Sequence, residues 1–354
     1  MVENMVKLAD IAKVLDLDVS VISRALNPNP DKNAVVKKET AELIRKTAAE
    51  MGYVPNRQAA FLGKGKGATI FCYLPDVSTR LINDLMFGIT EAASENNFPI
   101  NFFFGKSSSD FDDLITLGNK IPHTGLITFP PNKMSDKMRK SFLKYYEKCG
   151  NILFLNTFSN MSFADDVFAS IPTLNIDEYH GGLLAASHLY RSQCEEFIII
   201  GDLLSGAIFR MREEGFQNYL AEKGIACKKI SPDDFEHFVF EKGKKYGFFA
   251  DSDYIALNAY PVFARKNIRI GTDIMIIGFD DIFYSRISKP SLTTVHQPTR
   301  MEGHTAVRKM INMIFDKTEK SETLKPFLMV RESTGGRRPD PEHHELEEKV
   351  FDIS

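Results

Sequence analysis

The sequence predicts two parts of different fold class: a small all-helical head, followed by an α/β body of two doubly wound parallel sheets. Helical periodicity over the first 51 residues predicts the head. Beyond residue 68, short apolar runs alternate with amphipathic stretches, which is typical of parallel sheets covered by helices on both faces. A chain of 354 residues is too long for a single core, so we expect two or three domains.

Two short helices open the head. The run LADIAKVL at residues 8–15 places its apolar residues on one helical stripe. Asp16, Leu17 and Asp18 interrupt the pattern, and Asp18 is a good N-cap for a second helix over residues 19–26. Its inward side chains are expected to be Ile22, Ala25 and Leu26. Its outward side chains are expected to be Val19, Ser20, Ser23 and Arg24.

This outer face is that of a helix-turn-helix. Its side chains are small enough to enter a major groove, and Arg24 can donate two hydrogen bonds to guanine or contact phosphate. An ordinary helical hairpin would show the same pattern. Residues 1–67 contain eleven Lys and Arg against eight Asp and Glu, so they carry +3. The whole chain carries −3, which leaves −6 on the rest and favours a DNA-binding head on an acidic body.

A third helix is predicted over residues 37–51, after a polar loop at residues 28–33. Its inner face is expected to contain Leu43, Ile44, Thr47, Ala48 and Met51. Residues 63–67, GKGKG, read as a flexible basic linker. A phosphate-binding glycine loop is the alternative, but such a loop follows a strand, whereas this segment precedes one.

The body contains seven apolar runs of strand length, which are too many for one comfortable sheet and indicate two subdomains. The predicted strands cover residues 69–74, 100–104, 125–129, 151–155, 196–201, 246–250 and 273–279. Amphipathic helices are predicted over residues 81–96, 178–190 and 210–223. The acidic tail, residues 339–354, is expected to pack loosely.

Composition and spacing favour a soluble cytoplasmic protein without metal, cofactor or catalytic set. The four cysteines are scattered without a CxxC pair, and the sequence shows neither a signal pattern nor a long apolar run. The eight histidines lack metal-ligand spacing. Asp280 and Asp281 could mimic an acid/base pair, but adjacent residues at a strand end usually point apart.

Several motifs together resemble one family of bacterial transcription regulators, the lac-repressor/galactose-repressor family. These are IAKVL with VSVISRALN at residues 11–27, EMGYVPNRQAAFL at 50–62, IDEYHGG at 176–182, IGFDD at 277–281, KPSLTTVHQPTRMEG at 289–303 and VRESTG at 330–335. The likeness spans about residues 6–336. It implies a periplasmic-binding-protein-like body, in which two subdomains joined by three crossovers close on a small molecule at the carboxyl ends of their strands.

The resemblance also implies domain boundaries. These are a helix-turn-helix DNA-binding domain at 1–54, a hinge helix and linker at 55–67, and an effector-binding and dimerisation domain at 68–338. The N-subdomain would comprise about 68–168 and 299–326, and the C-subdomain about 169–298 and 327–338.

For DNA, the resemblance implies that Val19, Ser20 and Arg24 read bases. Backbone contacts would come from Lys7, Ser23, Asn27 and Asn56. The hinge helix would form only on DNA and on its dimer mate, with Ala59 between the two helices and Leu62 wedged into the minor groove. Three features depart from the family: Asp16 replaces a glycine, Asp18 replaces a serine or threonine, and the loop at residues 28–33 is longer.

For the effector, the resemblance implies a set of polar side chains around the cleft. They are Asp76, Arg80, Asn156, Arg210, Ser252, Asp253 and Asp280. Arginine and aspartate suit vicinal hydroxyls because both bind in a bidentate manner. Ser252 stands where many relatives have asparagine, Leu81 replaces an aromatic residue, and Arg80 replaces a proline. An acidic or phosphorylated sugar would suit Arg80 together with Arg210.

We therefore expect a homodimeric allosteric repressor of carbohydrate-use genes that binds a near-palindromic DNA operator and is induced by a sugar-like effector. A purine-type corepressed regulator remains an alternative. Two rivals are a sugar-binding protein without a regulatory role and a sugar-modifying α/β enzyme.

Overall fold

The computed structural model describes residues 6–26, 36–53, 69–76, 80–121, 123–130, 134–157, 166–201, 207–241 and 243–336. The expected hinge helix and linker and the acidic tail lie outside these ranges. The head consists of three helices, α1 (Leu8–Leu15), α2 (Val19–Ala25) and α3 (Lys38–Glu50). They share an apolar core centred on Ile11, Ile22 and Ile44, as the periodicity predicts.

The turn between α1 and α2 bears out the local chemistry of its two aspartates. Asp16 has a φ of 54° and adopts the left-handed conformation that aspartate tolerates. The Asp18 carboxylate accepts a hydrogen bond from the Ser20 backbone N–H at 2.8 Å and caps α2.

One expectation for α3 is wrong. Leu43 is 52% exposed, whereas Ala41, Ile44 and Ala48 are buried at the i, i+3, i+7 spacing of one helical stripe. Leu43 lies one residue outside that stripe, so it faces solvent.

The first subdomain is built on a six-stranded parallel sheet. Its strands are β1 (Ile70–Pro75), β2 (Ile100–Gly105), β3 (Gly125–Thr128), β4 (Ile152–Leu155), β5 (Thr173–Ile176) and β11 (Glu322–Leu324), in the order β11-β5-β4-β3-β1-β2. Its helices are α4 (Arg80–Glu95), α5 (Ser108–Gly118), α6 (Asp136–Cys149), α7 (Asp166–Ala169) and α12 (Thr299–Ile314). Two apolar clusters, one on each face of the sheet, form its core.

The second subdomain has a matching sheet. Its strands are β6 (Glu196–Ile200), β7 (Cys227–Ile230), β8 (Tyr246–Ala250), β9 (Ile274–Phe279), β10 (Thr293–His296) and β12 (Phe327–Met329), in the order β12-β10-β9-β8-β6-β7. Strand β12 pairs antiparallel with β10, and the other pairs are parallel. Its helices are α8 (Glu178–Arg191), α9 (Ala207–Ala221), α10 (Asp253–Arg265) and α11 (Phe283–Ile287), with 3-10 turns at Asp234–His237 and Glu332–Thr334.

Three crossovers connect the subdomains, but the first lies later than expected. The expected N-subdomain ends at residue 168, whereas β5 pairs with β4 inside the first sheet. The chain therefore crosses after Ile176. The second crossover follows His296, and the third separates Leu324 from Phe327. Strand β5 has four residues that alternate in burial, so it lacks the continuous apolar run that marks the other inner strands.

Candidate ligand cleft and nucleic-acid interface

A buried arginine, Arg212 on α9, lies at the centre of the candidate cleft. Its Nε donates to Glu178 Oε2 at 2.7 Å, and its Nη1 donates to the Asp251 carbonyl oxygen at 2.6 Å and lies 3.4 Å from Asp280 Oδ1. Its guanidinium carbon lies 3.7 Å from the centroid of the Phe279 ring. Although burial alone lowers the pKa of Arg212, the carboxylates of Glu178 and Asp280 raise it, so the guanidinium stays charged.

Asp280, which follows β9, is joined to both subdomains. The Gln297 amide donates to its Oδ1 at 2.7 Å, and the guanidinium of Arg80, at the start of α4, donates to its carbonyl oxygen. Arg80 also pairs with Asp84 one turn further along α4. Burial raises the pKa of Asp280, while Arg212 opposes that rise. The structure thus brings together the predicted residues Arg80 and Asp280 and adds Arg212.

Arg210, one of the expected effector residues, does not lie on the same face of α9 as Arg212. It lies in an exposed position, two residues before the buried Arg212. Residues two apart project from nearly opposite faces of a helix, so both cannot line one cleft. The buried face of α9 is fixed by close packing on α8, where the Gly182 α-carbon lies against the Arg212 carbonyl and Gly215 against that of Tyr179. This glycine spacing is the sequence signal that could have identified Arg212.

Asn156 bridges two crossovers at the hinge side of the cleft. It follows β4, and its Oδ1 accepts from the Ile176 backbone N–H at 3.3 Å. Its Nδ2 donates to Glu302 Oε1 at 2.9 Å. Glu302 and Glu178 are therefore buried polar residues near the candidate cleft that were not predicted from the sequence. Both residues lie within motifs that resemble the family, Glu302 next to Gly303 and Glu178 next to Asp177, and this is the sequence signal that could have identified them.

Asp253, another expected effector residue, is held by hydrogen bonds within the second subdomain. Its carboxylate is fully buried and accepts hydrogen bonds from the Ile282 backbone N–H, Ser285 Oγ and Thr294 Oγ1 at 2.8, 2.7 and 2.5 Å. Burial raises its pKa to about 7. These bonds lie within the second subdomain, and through them Asp253 holds the loop after β9 against β10. Its expected ligand contact stays a prediction.

The remaining expected effector residues lie at element ends. Ser252 caps α10, because its Oγ accepts from the Ile255 backbone N–H at 3.4 Å. Asp76 directly follows β1, is largely exposed, and lies 3.4 Å from Lys106 Nζ. The structure therefore does not bring Asp76 into the cluster around Arg212.

The candidate nucleic-acid interface is the outer face of α2. The side chains of Ser20, Ser23 and Arg24 are exposed, as are Val19 at the start of α2 and Lys7 at the N-cap of α1. Four further expected DNA residues, Asn27, Asn56, Ala59 and Leu62, lie outside the described residues.

Across the described ranges, we find no group of three or more His, Cys, Asp or Glu side chains placed to hold a metal ion. Within the same ranges, none of the helices has the length and apolar character needed to cross a membrane.

This chain is similar to a known family model and to several bacterial transcription regulators. A family model described as a periplasmic binding protein-like domain matches residues 186–334. The chain is 27% identical over 346 residues to the HTH-type transcriptional regulator RegA of Clostridium saccharobutylicum, covering 92% of this chain and 98% of RegA. It is 23% identical to the HTH-type transcriptional repressor CytR of Escherichia coli K12, covering 88% and 91%.

Two solved structures have the same fold over nearly the whole chain. The lac repressor dimer bound to operator and an anti-inducer has a TM-score of 0.62 at 20% identity and covers 94% of this chain and 99% of its own. The CelR–cellobiose complex has a TM-score of 0.61 at 20% identity and covers 93% and 99%. The helix-turn-helix head, the two parallel sheets and these whole-length likenesses agree with the lac-repressor/galactose-repressor family that the sequence motifs resemble.

Proposed function

We propose that the protein is a sequence-specific DNA-binding repressor of carbohydrate-use genes, and that a small ligand in the cleft controls its affinity for operator DNA. The observation that carries this proposal is the pairing of Arg212 with Asp280 at the carboxyl ends of the second sheet, in a chain that also exposes Arg24 on α2. Relatives of matching length support it: two of them are named ribose operon repressors.

The cleft suits a polyhydroxylated ligand. Arg212 and Asp280 offer donors and acceptors that fit vicinal hydroxyls, and the Phe279 ring stacks under the guanidinium and fixes its plane. Similar chains have been solved with cellobiose, D-xylulofuranose or ribose bound. The proposal contains no catalytic step, so a bound ligand should leave unchanged. The protein would act on DNA in the cytoplasm.

Control requires that the ligand change the relative position of the subdomains. The hydrogen bond from Arg80 to the Asp280 carbonyl oxygen joins the two subdomains across the cleft. A ligand that contacts Arg212 and Asp280 would shift this contact and, through the first subdomain, the hinge at residues 55–62. The coupling free energy in such systems is about 1–3 kcal/mol. We propose induction as the sign, and corepression by a purine-like ligand is the alternative.

A homodimer completes the proposal, since two-fold symmetry of the protein matches a near-palindromic operator. Support comes from a surface that we call the α10–α11 patch, formed by Tyr254, Phe283, Tyr284 and Ile287. These large apolar side chains are each about half exposed or more. Three of them, Tyr254, Tyr284 and Ile287, line a groove of about 890 Å³. Exposed apolar patches of this kind mark interaction sites.

Operator selection from random DNA tests the function. The wild-type chain should enrich a near-palindromic sequence. Arg24→Ala should weaken specific binding by about 1–3 kcal/mol while leaving non-specific binding nearly unchanged. Lys13→Ala on α1 is the matched control, since it removes an exposed cation of the head that the proposal does not place at a base. If Arg24→Ala and Lys13→Ala behave alike, α2 is not the reading helix.

A further inference from the structure

Glu302, in the first turn of α12, is a buried carboxyl group with only one of its two oxygens engaged. Its Oε1 accepts from the Asn156 amide at 2.9 Å. Its Oε2 is buried and has no hydrogen-bond partner among the residues that the structure describes. Burial, together with the charge of Glu178, raises the pKa of Glu302 to about 8. A buried polar atom of this kind is costly unless something satisfies it.

Glu302 lies where the crossovers meet the cleft. Asn156 ties it to the backbone of Ile176 in the first crossover, and Glu178 lies just beyond that crossover. Glu178 in turn pairs with Arg212, which lies 3.4 Å from Asp280. The charge of Glu178 raises the pKa of Glu302, so the two groups lie near each other, and we call these side chains together the polar floor.

The arginines on this floor are already engaged. Arg212 donates to Glu178 and to the Asp251 carbonyl oxygen and lies beside Asp280. Arg80 donates to Asp84 and to the Asp280 carbonyl oxygen. Among the described residues, neither guanidinium contacts Glu302, so no cation of the floor satisfies its Oε2. An anionic ligand group would be repelled by the ionised Glu302 carboxylate, whereas a cationic donor would stabilise it.

We propose that Glu302 determines ligand specificity by accepting a hydrogen bond at Oε2 from the protonated amine of a sugar-sized, hydroxylated ligand. The hydroxyl groups of that ligand would contact Arg212 and Asp280. This inference rests on the proposed function of the cleft as the effector site. It proposes an amino sugar as the ligand in place of the acidic or phosphorylated sugar that Arg80 and Arg210 suggest in the sequence.

Binding of the ligand would replace the proton on Glu302 with the ammonium group of the ligand. When the amine binds, the proton held on Glu302 leaves to solvent, and the ammonium group takes its place beside the carboxylate. Because the pKa of Glu302 is about 8, binding at pH 7 should release about one proton for each ligand bound. A neutral polyol would release none.

Thermal unfolding of the full chain against matched sugars tests the inference. The probes are 2-aminohexoses, aminopentoses, their parent sugars, their N-acetyl derivatives, hexuronates and hexose 6-phosphates. An amino sugar should raise Tm in a concentration-dependent manner and bind about tenfold or more tightly than its parent sugar, because a charge-assisted hydrogen bond replaces a neutral one. In Glu302→Gln, this preference should fall to less than about threefold, and proton release, measured by calorimetry in buffers of different ionisation enthalpy, should disappear.

Two variants serve as controls. Glu332→Gln makes the same chemical change at a glutamate that accepts from Ser291 in the second subdomain, so it should keep both the preference and the proton release. Asp280→Asn should weaken binding of amino and parent sugars alike. If parent sugars or anionic sugars bind wild type as tightly as amino sugars, the Glu302 inference is overturned while the effector cleft stands. If no sugar of any class raises Tm, both the inference and the sugar-controlled cleft fail.

Discussion

Arg212 is a buried cation of the second subdomain that lies beside two acidic side chains, Glu178 and Asp280. Taking a guanidinium and two carboxylates out of water is costly, and only their mutual contacts offset that cost. Its Nε bonds to Glu178 at 2.7 Å, and its Nη1 bonds to the Asp251 carbonyl oxygen and lies 3.4 Å from Asp280 Oδ1. We propose that a ligand hydroxyl joins this arrangement at Asp280.

The contrast between the two neighbouring arginines gives the first prediction. Arg212→Ala leaves Glu178 and Asp280 buried without their cation, so it should reduce the free energy of unfolding by about 3–5 kcal/mol. Arg210→Ala changes an exposed side chain and should stay within about 0.5 kcal/mol of wild type. Urea unfolding measures both values. Equal losses in the two variants would mean that Arg210 also has a buried role.

The pH dependence of stability gives a second prediction at this scale. The folded state raises the pKa of Glu302 from 4.5 to about 8, so between these values the folded chain holds a proton that the unfolded chain has lost. The stabilisation from this group is present below about pH 4.5 and is lost as pH rises toward 8. Relative to wild type, Glu302→Gln should therefore gain stability with pH, by up to about 1.4 kcal/mol per pH unit in that window.

Denaturant unfolding of the ligand-free chain from pH 4 to 8.5 measures this difference. Burial also raises the pKa values of Asp251 and Asp253, so the comparison must be variant against wild type at each pH. A difference that does not change with pH would show that Glu302 titrates normally in the folded state.

The sequence could identify residues whose positions follow from a local pattern, but not residues whose positions depend on packing between elements. Asp280 could be predicted because it ends a strongly apolar strand. The choice between Arg210 and Arg212 could not be made from spacing alone, because it depends on which face of α9 packs on α8. The burial of Glu302 could not be predicted from the sequence either. A glutamate in a helix is usually exposed to solvent, and only the position of the crossovers around Glu302 buries it.

At the scale of elements, the head shows how local chemistry positions α2, the helix that we propose reads DNA bases. The left-handed Asp16 ends α1, and the Asp18 carboxylate caps α2 within two residues. The turn is therefore short, and Ile22 and Ala25 face Ile44 while the opposite face stays exposed. A change at the cap should act on the whole helix and not on one contact.

Removing that cap gives the third prediction. Asp18→Ala deletes the acceptor for the Ser20 backbone N–H and should destabilise the head by about 0.5–2 kcal/mol. Asp18→Ser, which keeps a capping oxygen, should recover most of the loss. The readout is amide hydrogen exchange in α2 of the full chain. If Asp18→Ala leaves exchange in α2 unchanged, the side-chain cap does not limit the stability of the helix.

The bounds of helices and strands with a strong apolar pattern could be predicted closely from the sequence. Strands with a weak apolar pattern could not be predicted. Helix α4, expected at residues 81–96, spans Arg80–Glu95, and β8 matches its prediction. The missed strands are β5, β7, β10, β11 and β12. Each is only three or four residues long, and several carry polar residues that pair at sheet edges or near the crossovers. Their place is decided by tertiary pairing, which a local pattern does not encode.

At the scale of the whole molecule, the crossovers decide how one subdomain senses the other. The Asp177 backbone N–H donates to the Leu324 carbonyl oxygen at 2.9 Å, which joins the first and third crossovers. Asn156 joins the first to the second through Ile176 and Glu302. The three segments are therefore joined to one another by hydrogen bonds. Under the proposed function, a ligand at Glu302 and Asp280 would act on both sides of this hinge.

The proposed homodimer gives a prediction at the scale of the whole molecule. A carboxylate placed in the α10–α11 patch would be buried against the apolar surface of a second copy, at a cost that a weak two-fold contact cannot offset. Phe283→Glu with Tyr284→Glu should shift the chain toward monomer in sedimentation velocity, and its affinity for a palindromic operator should fall steeply. Val239→Glu is the matched control, because Val239 is 81% exposed and lies outside the patch. Unchanged sedimentation of the double variant would move the dimer interface elsewhere on the body, for example to the face of α4 that exposes Phe87.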